Sequence, residues 1–196
     1  MTAKREITRA DLMPPDAYAK ARRERRRAVM DMKRRRRLEV GPVAVFYFEN
    51  FASMLLQVQE MLLIEKGGEA QIDDELAAYN PLIPKGAELV ATVMFEIDDP
   101  VRRKDFLSRL GGVEDTAVIV FAGETVQGVP EADVDRTTAA GKASSVQFIH
   151  FPFTRAQVDK FRAPGTEVMV GLKHPAYAHM AVLPETTRAA LAQDFD

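Results

Sequence analysis

The chain has 196 residues, 46% of them hydrophobic, 29% charged and none cysteine, with a formal net charge of −2. That length and apolar content can bury a sizeable core, and the missing thiols exclude disulfides, thiolate zinc sites, Cys-ligated iron–sulfur clusters and cysteine catalysis. The near-neutral total hides an asymmetry. Residues 1–40 hold 14 Lys+Arg against 6 Asp+Glu, a balance of +8, and the remainder holds 13 against 23, a balance of −10. Ten of the sixteen residues 22–37 are Arg or Lys, so the basic segment must meet its own acidic body, an acidic partner or a phosphate polymer.

The charges Lys4, Arg5 and Glu6 have no apolar run behind them and do not read as a secretory signal. Pro14-Pro15 opens a helix expected to run to about residue 37. At about 100° per residue, Tyr18, Ala21, Val29 and Met32 share one sector with Arg25 and Arg36, while Arg23, Arg26, Arg27, Arg34 and Arg37 lie opposite. The first group should pack on the body. Gly41-Pro42 ends this arm, giving a division into a basic arm, 1–40, docked on a single α+β domain, 41–196.

Residues 43–48 form an apolar, β-branched and aromatic run, expected as a buried strand. Asn50 can cap a helix over 51–65 that is apolar nearly all round and therefore embedded, with Gly67-Gly68 as its stop. Ser53, Gln57 and Glu60 make a polar line on it, with Gln59 apart. A short acidic helix is expected over 73–79. The runs 43–48 and 117–122 are far too short to span a bilayer, so a soluble, cytoplasmic protein is the expectation.

The second half repeats. Strand 89–97, helix 101–110 and strand 116–122 make one unit; strand 146–153, helix 155–161 behind Thr154 and strand 167–172 make another. Joined, they give β-α-β-β-α-β, the order of a ferredoxin-like, mostly antiparallel sheet. Residues 123–144 show no periodicity and suit a hairpin extension or a mobile loop. A final helix follows Pro184-Glu185 through Leu191.

Chemistry is sparse. Glu60 in an apolar helix needs a partner, because an unpaired buried carboxylate is costly. Arg25 and Arg36 can supply the counter-charge, with Glu49 as a second acceptor. Two readings stay open: a small-anion or substrate pocket lined by Arg25, Arg36, Glu49, Gln57 and Glu60, or an internal network that docks the arm. The histidines are His150, His174 and His179. A metal site using His150 and His174 with Glu60 or Glu49 fits ligand chemistry, but no spacing supports it, so no metal or cofactor is expected. Neither a G-x-S-x-G elbow nor a phosphate-binding glycine loop is present, which leans away from an enzyme. The arginine run permits nucleic-acid binding, yet the negative total charge and the lack of interleaved aromatics beyond Tyr18 disfavour it. Self-association stays open.

Several segments carry a resemblance. Ile7-Thr8-Arg9-Ala10-Asp11-Leu12, Phe48-Glu49-Asn50, Gln57 through Met61 with Ile64-Glu65, Glu75-Leu76 with Tyr79-Asn80, Leu82-Ile83-Pro84, Ala91-Thr92 and His174-Pro175 with Tyr177 resemble an uncharacterised family of bacterial proteins of about this length. The resemblance implies gene neighbours of rubrerythrin-like and iron–sulfur oxidoreductase type. It therefore implies an accessory, protein-binding role in redox or oxidative-stress metabolism, and transfers no catalytic residue.

Overall fold

The computed structural model describes residues 4–131, 137–138 and 141–196. After a 3-10 turn at Arg9–Asp11 come α1 (Pro15–Arg34), β1 (Arg37–Val40), β2 (Ala44–Phe48), α2 (Phe51–Glu65) and α3 (Gly68–Tyr79). The second half holds β3 (Glu88–Phe95), α4 (Pro100–Leu107), β4 (Ala117–Phe121), β5 (Glu124–Gln127), β6 (Val129–Pro130) and β7 (Val146–Pro152). It closes with α5 (Arg155–Arg162), β8 (Val168–His174), β9 (Tyr177–Val182) and α6 (Glu185–Leu191). The fold is α+β, with two antiparallel sheets ordered β1-β2-β3-β7-β6 and β5-β4-β8-β9.

Side-chain alternation along the strands builds three layers. In β3, Leu89, Ala91, Val93 and Phe95 enter a core shared with Ile119, Val168 and Val170 of the other sheet. Val90 points the opposite way, into a second cluster with Met54 and Val58 of α2 and with Ile7 and Ile83. The five-stranded sheet is thus covered by the smaller sheet on one face and by α2 on the other.

Local chemistry sets the helix starts. The Asn50 side chain accepts from the Ser53 backbone N–H at 3.0 Å while Ser53 Oγ accepts from the Asn50 N–H. Asp99 accepts from Arg102 N–H at 2.6 Å, and Thr154 and Gln157 form a reciprocal box at the head of α5. Each satisfies backbone donors that a helix start leaves open.

The chain differs from the sequence expectation in three places. Helix α3 starts at Gly68 rather than at residue 73, because α2 ends on Lys66 in the left-handed conformation and not on Gly67-Gly68. The basic helix stops at Arg34, and residues 37–40 form strand β1. Leu38 and Val40 are buried while Glu39 is exposed, a period of two that pairs with β2 and overrides a helical run of arginines. The turn between β1 and β2 needs Gly41: its φ is +68°, and a Cβ there would sit 2.7 Å from the Tyr177 hydroxyl.

Both strand–helix–strand units exist, but they do not form a ferredoxin-like sheet. β3 and β4 lie in different sheets, as do β7 and β8. The face on which crossover helices would lie is occupied by α2. Helices α4 and α5 span eight residues each, about 12 Å, well short of the roughly 25 Å needed to retrace a strand of that length. Each unit passes between sheets instead. β3 pairs antiparallel with β7, and β4 antiparallel with β8, the pairing that a local twofold relation between the units produces. Part of the aperiodic segment supplies β5 and β6; residues 132–136 and 139–140 of it lie outside the described residues.

Candidate functional site

Helix α1 lies along α2, and its register decides which cations turn inward. Tyr18, Arg22 and Arg26 are spaced by four and form one stripe. Tyr18, 2% exposed, donates its hydroxyl to Glu60 Oε1 at 2.6 Å. Arg22 forks onto the same carboxylate, Nε to Oε1 at 2.9 Å and Nη2 to Oε2 at 2.7 Å. Arg26 reaches Oε2 at 3.5 Å. The Arg22 fork, with the Tyr18 hydroxyl behind it, holds the Glu60 carboxyl down to about 2. Burial and the adjacent carboxylate push the Tyr18 phenol well above its ordinary value. One residue away, the buried Gln59 accepts from Met13 N–H at 2.8 Å and donates to Met13 C=O at 3.3 Å, fastening the segment before α1 to α2.

The five residues expected to line an anion pocket do not share one. Arg36 lies beyond the end of α1, so the helical projection does not apply to it. It is 4% exposed, ion-paired with Asp194, and donates to the backbone carbonyls of Phe48 and Glu49 at 3.0 Å each and of Ala190 at 3.3 Å. Burial pushes the Asp194 carboxyl up even though Arg36 pulls it down. Glu49 is 3% exposed; Oε1 accepts from Thr92 Oγ1 at 2.8 Å, and Oε2 has no hydrogen bond, with Lys33 Nζ 3.9 Å away. Gln57 is exposed and donates to the Tyr79 hydroxyl at 3.4 Å. Arg25 sits one turn past Arg22 and two past Tyr18, where it lines a cleft of about 290 Å³ with Val29, Phe51 and Leu55.

The histidines are dispersed as well. His150 Nδ1 lies 3.0 Å from Glu88 Oε2 and Nε2 lies 2.8 Å from Glu131 Oε2. The two flanking carboxylates, Glu88 foremost, raise the imidazole above its ordinary value against the opposing effect of burial. His174 is in the other sheet; its Nε2 faces Gly111 C=O at 3.2 Å and its Nδ1 accepts from Ala176 N–H at 3.1 Å. Among the described residues no group of three or more His, Asp or Glu is arranged to hold a metal ion. Tyr177 is a structural tie: it donates to Val40 C=O at 2.7 Å and accepts from Val43 and Ala44 N–H at 3.1 and 3.0 Å.

The outward side of α1 is different. Lys20, Arg23 and Arg27 are exposed and make no contact with an acceptor among the described residues, and exposed Arg34 touches only Asp31 on its own helix, at 3.3 Å. These four fall within a sector about 60° wide and extend about 21 Å along the helix. No described helix is long and apolar enough to cross a membrane.

Sequence reasoning found Glu60 but not its partners. The i, i+4 spacing of Tyr18, Arg22 and Arg26 was the available signal; Arg26 reaches inward from the flank because its side chain is long. Nothing local marks Asp194 as the partner of Arg36, 158 residues away.

No curated protein matches the chain. A crystal structure described as a novel protein of unknown function from Burkholderia pseudomallei K96243 is 35% identical, covers 100% of both chains and superposes with a TM-score of 0.90. The family described as protein of unknown function, DUF3501, matches residues 6–195, and the chain belongs to that family.

Proposed function

We propose that this protein is a non-catalytic accessory protein that binds an acidic protein surface through the outward face of α1. The observation that carries the reading is the row Lys20, Arg23, Arg27 and Arg34 on a helix whose inner face is fixed by Glu60. A rigid row of cations with no acidic residue of the body against it among the described residues steers and orients a partner of opposite charge. The non-catalytic part rests on commitment of the candidate groups. Glu60 is held by Tyr18 and Arg22, Arg36 by Asp194, and the Tyr177 hydroxyl by backbone.

The partner in this reading is a rubrerythrin-like or iron–sulfur oxidoreductase protein, with work in redox or oxidative-stress metabolism of the cytoplasm; the implied gene neighbourhood of the family supports it. Nucleic acid suits the face less well. Tyr18, the aromatic ring of this helix, is buried, so the face offers no platform on which a base could stack.

The test is co-purification with the rubrerythrin-like or iron–sulfur protein encoded in the same host. A salt-sensitive complex that Arg23→Glu with Arg27→Glu abolishes supports the reading. No complex with either class, or one indifferent to the double charge reversal, removes it. Heparin retention with a steep salt slope transfers the face to phosphate polymers.

A second reading, small-anion binding, is favoured by Arg25, which lines its cleft and touches no acceptor among the described residues, while Asp11 of the same cleft is paired with Lys4. It predicts that phosphate or a small carboxylate raises Tm in wild type and not in Arg25→Ala.

A further inference from the structure

We propose that the cleft between the segment before α1, the end of α2 and the start of α3 is a binding site for an amphipathic monocarboxylate, an apolar chain with one anionic head. The cleft encloses about 610 Å³, within the roughly 300–1,000 Å³ typical of small-molecule sites. Its walls are Leu12, Met13 and Pro15 on one side and Leu62, Leu63 and Ile72 on the other. All but Pro15 are partly buried, so the surface is apolar yet still reachable.

The cleft is held open by polar contacts at its edges rather than filled by its own side chains. Gln59 fixes Met13 through both amide atoms. Arg9 fixes the head of α3 through Glu69 at 2.6 Å and Asp73 at 2.8 Å. A preformed apolar cleft spares a ligand the cost of ordering its site.

The charge at the mouth selects the head group. Lys66 ends α2 with φ +56°, which turns the chain into α3. It is exposed, lines the cleft, and its ammonium meets no acceptor among the described residues. The adjoining first turn of α3 carries Glu69, which also lines the cleft and is paired with Arg9, so Lys66 is the unpaired cation at the mouth among the described residues. Asp16 also lines the cleft and repels a second anionic group, which restricts the class to monoanions. This site does not involve the outward cations of α1.

Calorimetric titration of the full chain with sodium octanoate, sodium decanoate and 1-octanol tests the assignment. Saturable one-to-one binding is expected, tightening about three- to fourfold per added methylene as apolar surface leaves water. Lys66→Glu weakens the carboxylates about tenfold and leaves 1-octanol within about twofold; Ile72→Trp, which fills the cleft, weakens all three. Circular dichroism establishes that both variants fold. The proposal is overturned by no saturable binding, by octanoate binding that Lys66→Glu leaves unchanged, by equal loss of octanoate and 1-octanol in Lys66→Glu, or by wild-type affinity in Ile72→Trp.

Discussion

At the scale of single residues, the Tyr18 hydroxyl and the Glu60 carboxylate carry much of the α1–α2 contact's specificity, because each is a polar group placed against an apolar helix face. Tyr18→Phe keeps the ring and removes the donor, and a lost hydrogen bond to a charged acceptor costs about 1.5–3 kcal/mol; urea unfolding should shift by that amount with an unchanged slope. Glu60→Gln tests the charge. The Glu60 carboxyl drops from 4.5 to about 2 on folding. Its stabilisation is therefore complete above about pH 4.5 and disappears as pH falls towards 2. Wild type and Glu60→Gln should converge over that window; a gap of constant size from pH 6 to pH 2 would show that the carboxylate charge contributes nothing. His150 works in the opposite sense. Its folded value is raised above 6.5 by Glu88 and Glu131, so its contribution is present below about pH 6.5 and is lost as pH rises through the folded value. Proton NMR titration of the His150 ring, with a midpoint above 6.5, checks the direction.

Among the elements, the capped helices and apolar strands were legible because their causes are local. Asn50, Asp99 and Thr154 each satisfy backbone donors within three residues, and 43–48, 117–122 and 146–153 are dense in β-branched and aromatic residues. The segment 37–40 was not legible, since its arginine and leucine suit a helix as well as a strand and only pairing with β2 decides. The division of strands between two sheets was hidden for the same reason: both units share a β-α-β order with single-sheet folds, and what separates them is α2 on the sheet face. The aromatic cluster joining these layers was unread as well. Phe121, Phe153, Phe161 and Phe195 pack with ring centroids 4.8–5.7 Å apart, linking β4, the end of β7, α5 and the chain terminus. Phe161 is fully buried, so Phe161→Ala should cost about 3–5 kcal/mol, far more than the roughly 1 kcal/mol expected for the cap variant Thr154→Ala.

At the scale of the whole molecule, the basic arm and the acidic body are parts of one folded unit, tied at several distant points. Ile7 and Tyr18 are buried. Arg5 Nη1 donates to the backbone carbonyls of Pro84 at 2.9 Å and Asp194 at 2.7 Å, and Arg36 pairs with Asp194. The arm thus joins α2, β2 and the carboxyl end through contacts that burial and charge make mutually dependent. Of the candidate site, the sequence made the charge asymmetry and the need for a partner at Glu60 visible. The pairing itself depends on three-dimensional register, and so Arg25, chosen from a helical projection, faces a cleft while Arg22 holds the carboxylate. This architecture has a consequence for proteolysis. Ten Lys or Arg residues crowd into 22–37, so an arm that opened independently would be the first place cut by trypsin. Because unwinding α1 breaks the Tyr18–Arg22–Glu60 cluster, cleavage between Arg22 and Arg27 should follow the opening free energy of the α1–α2 contact. It should accelerate in Tyr18→Phe and Glu60→Gln, and accelerate little at higher salt. Rapid cutting in wild type that releases residues 1–27 from an otherwise resistant body would instead show that the arm is held by no more than its surface charges.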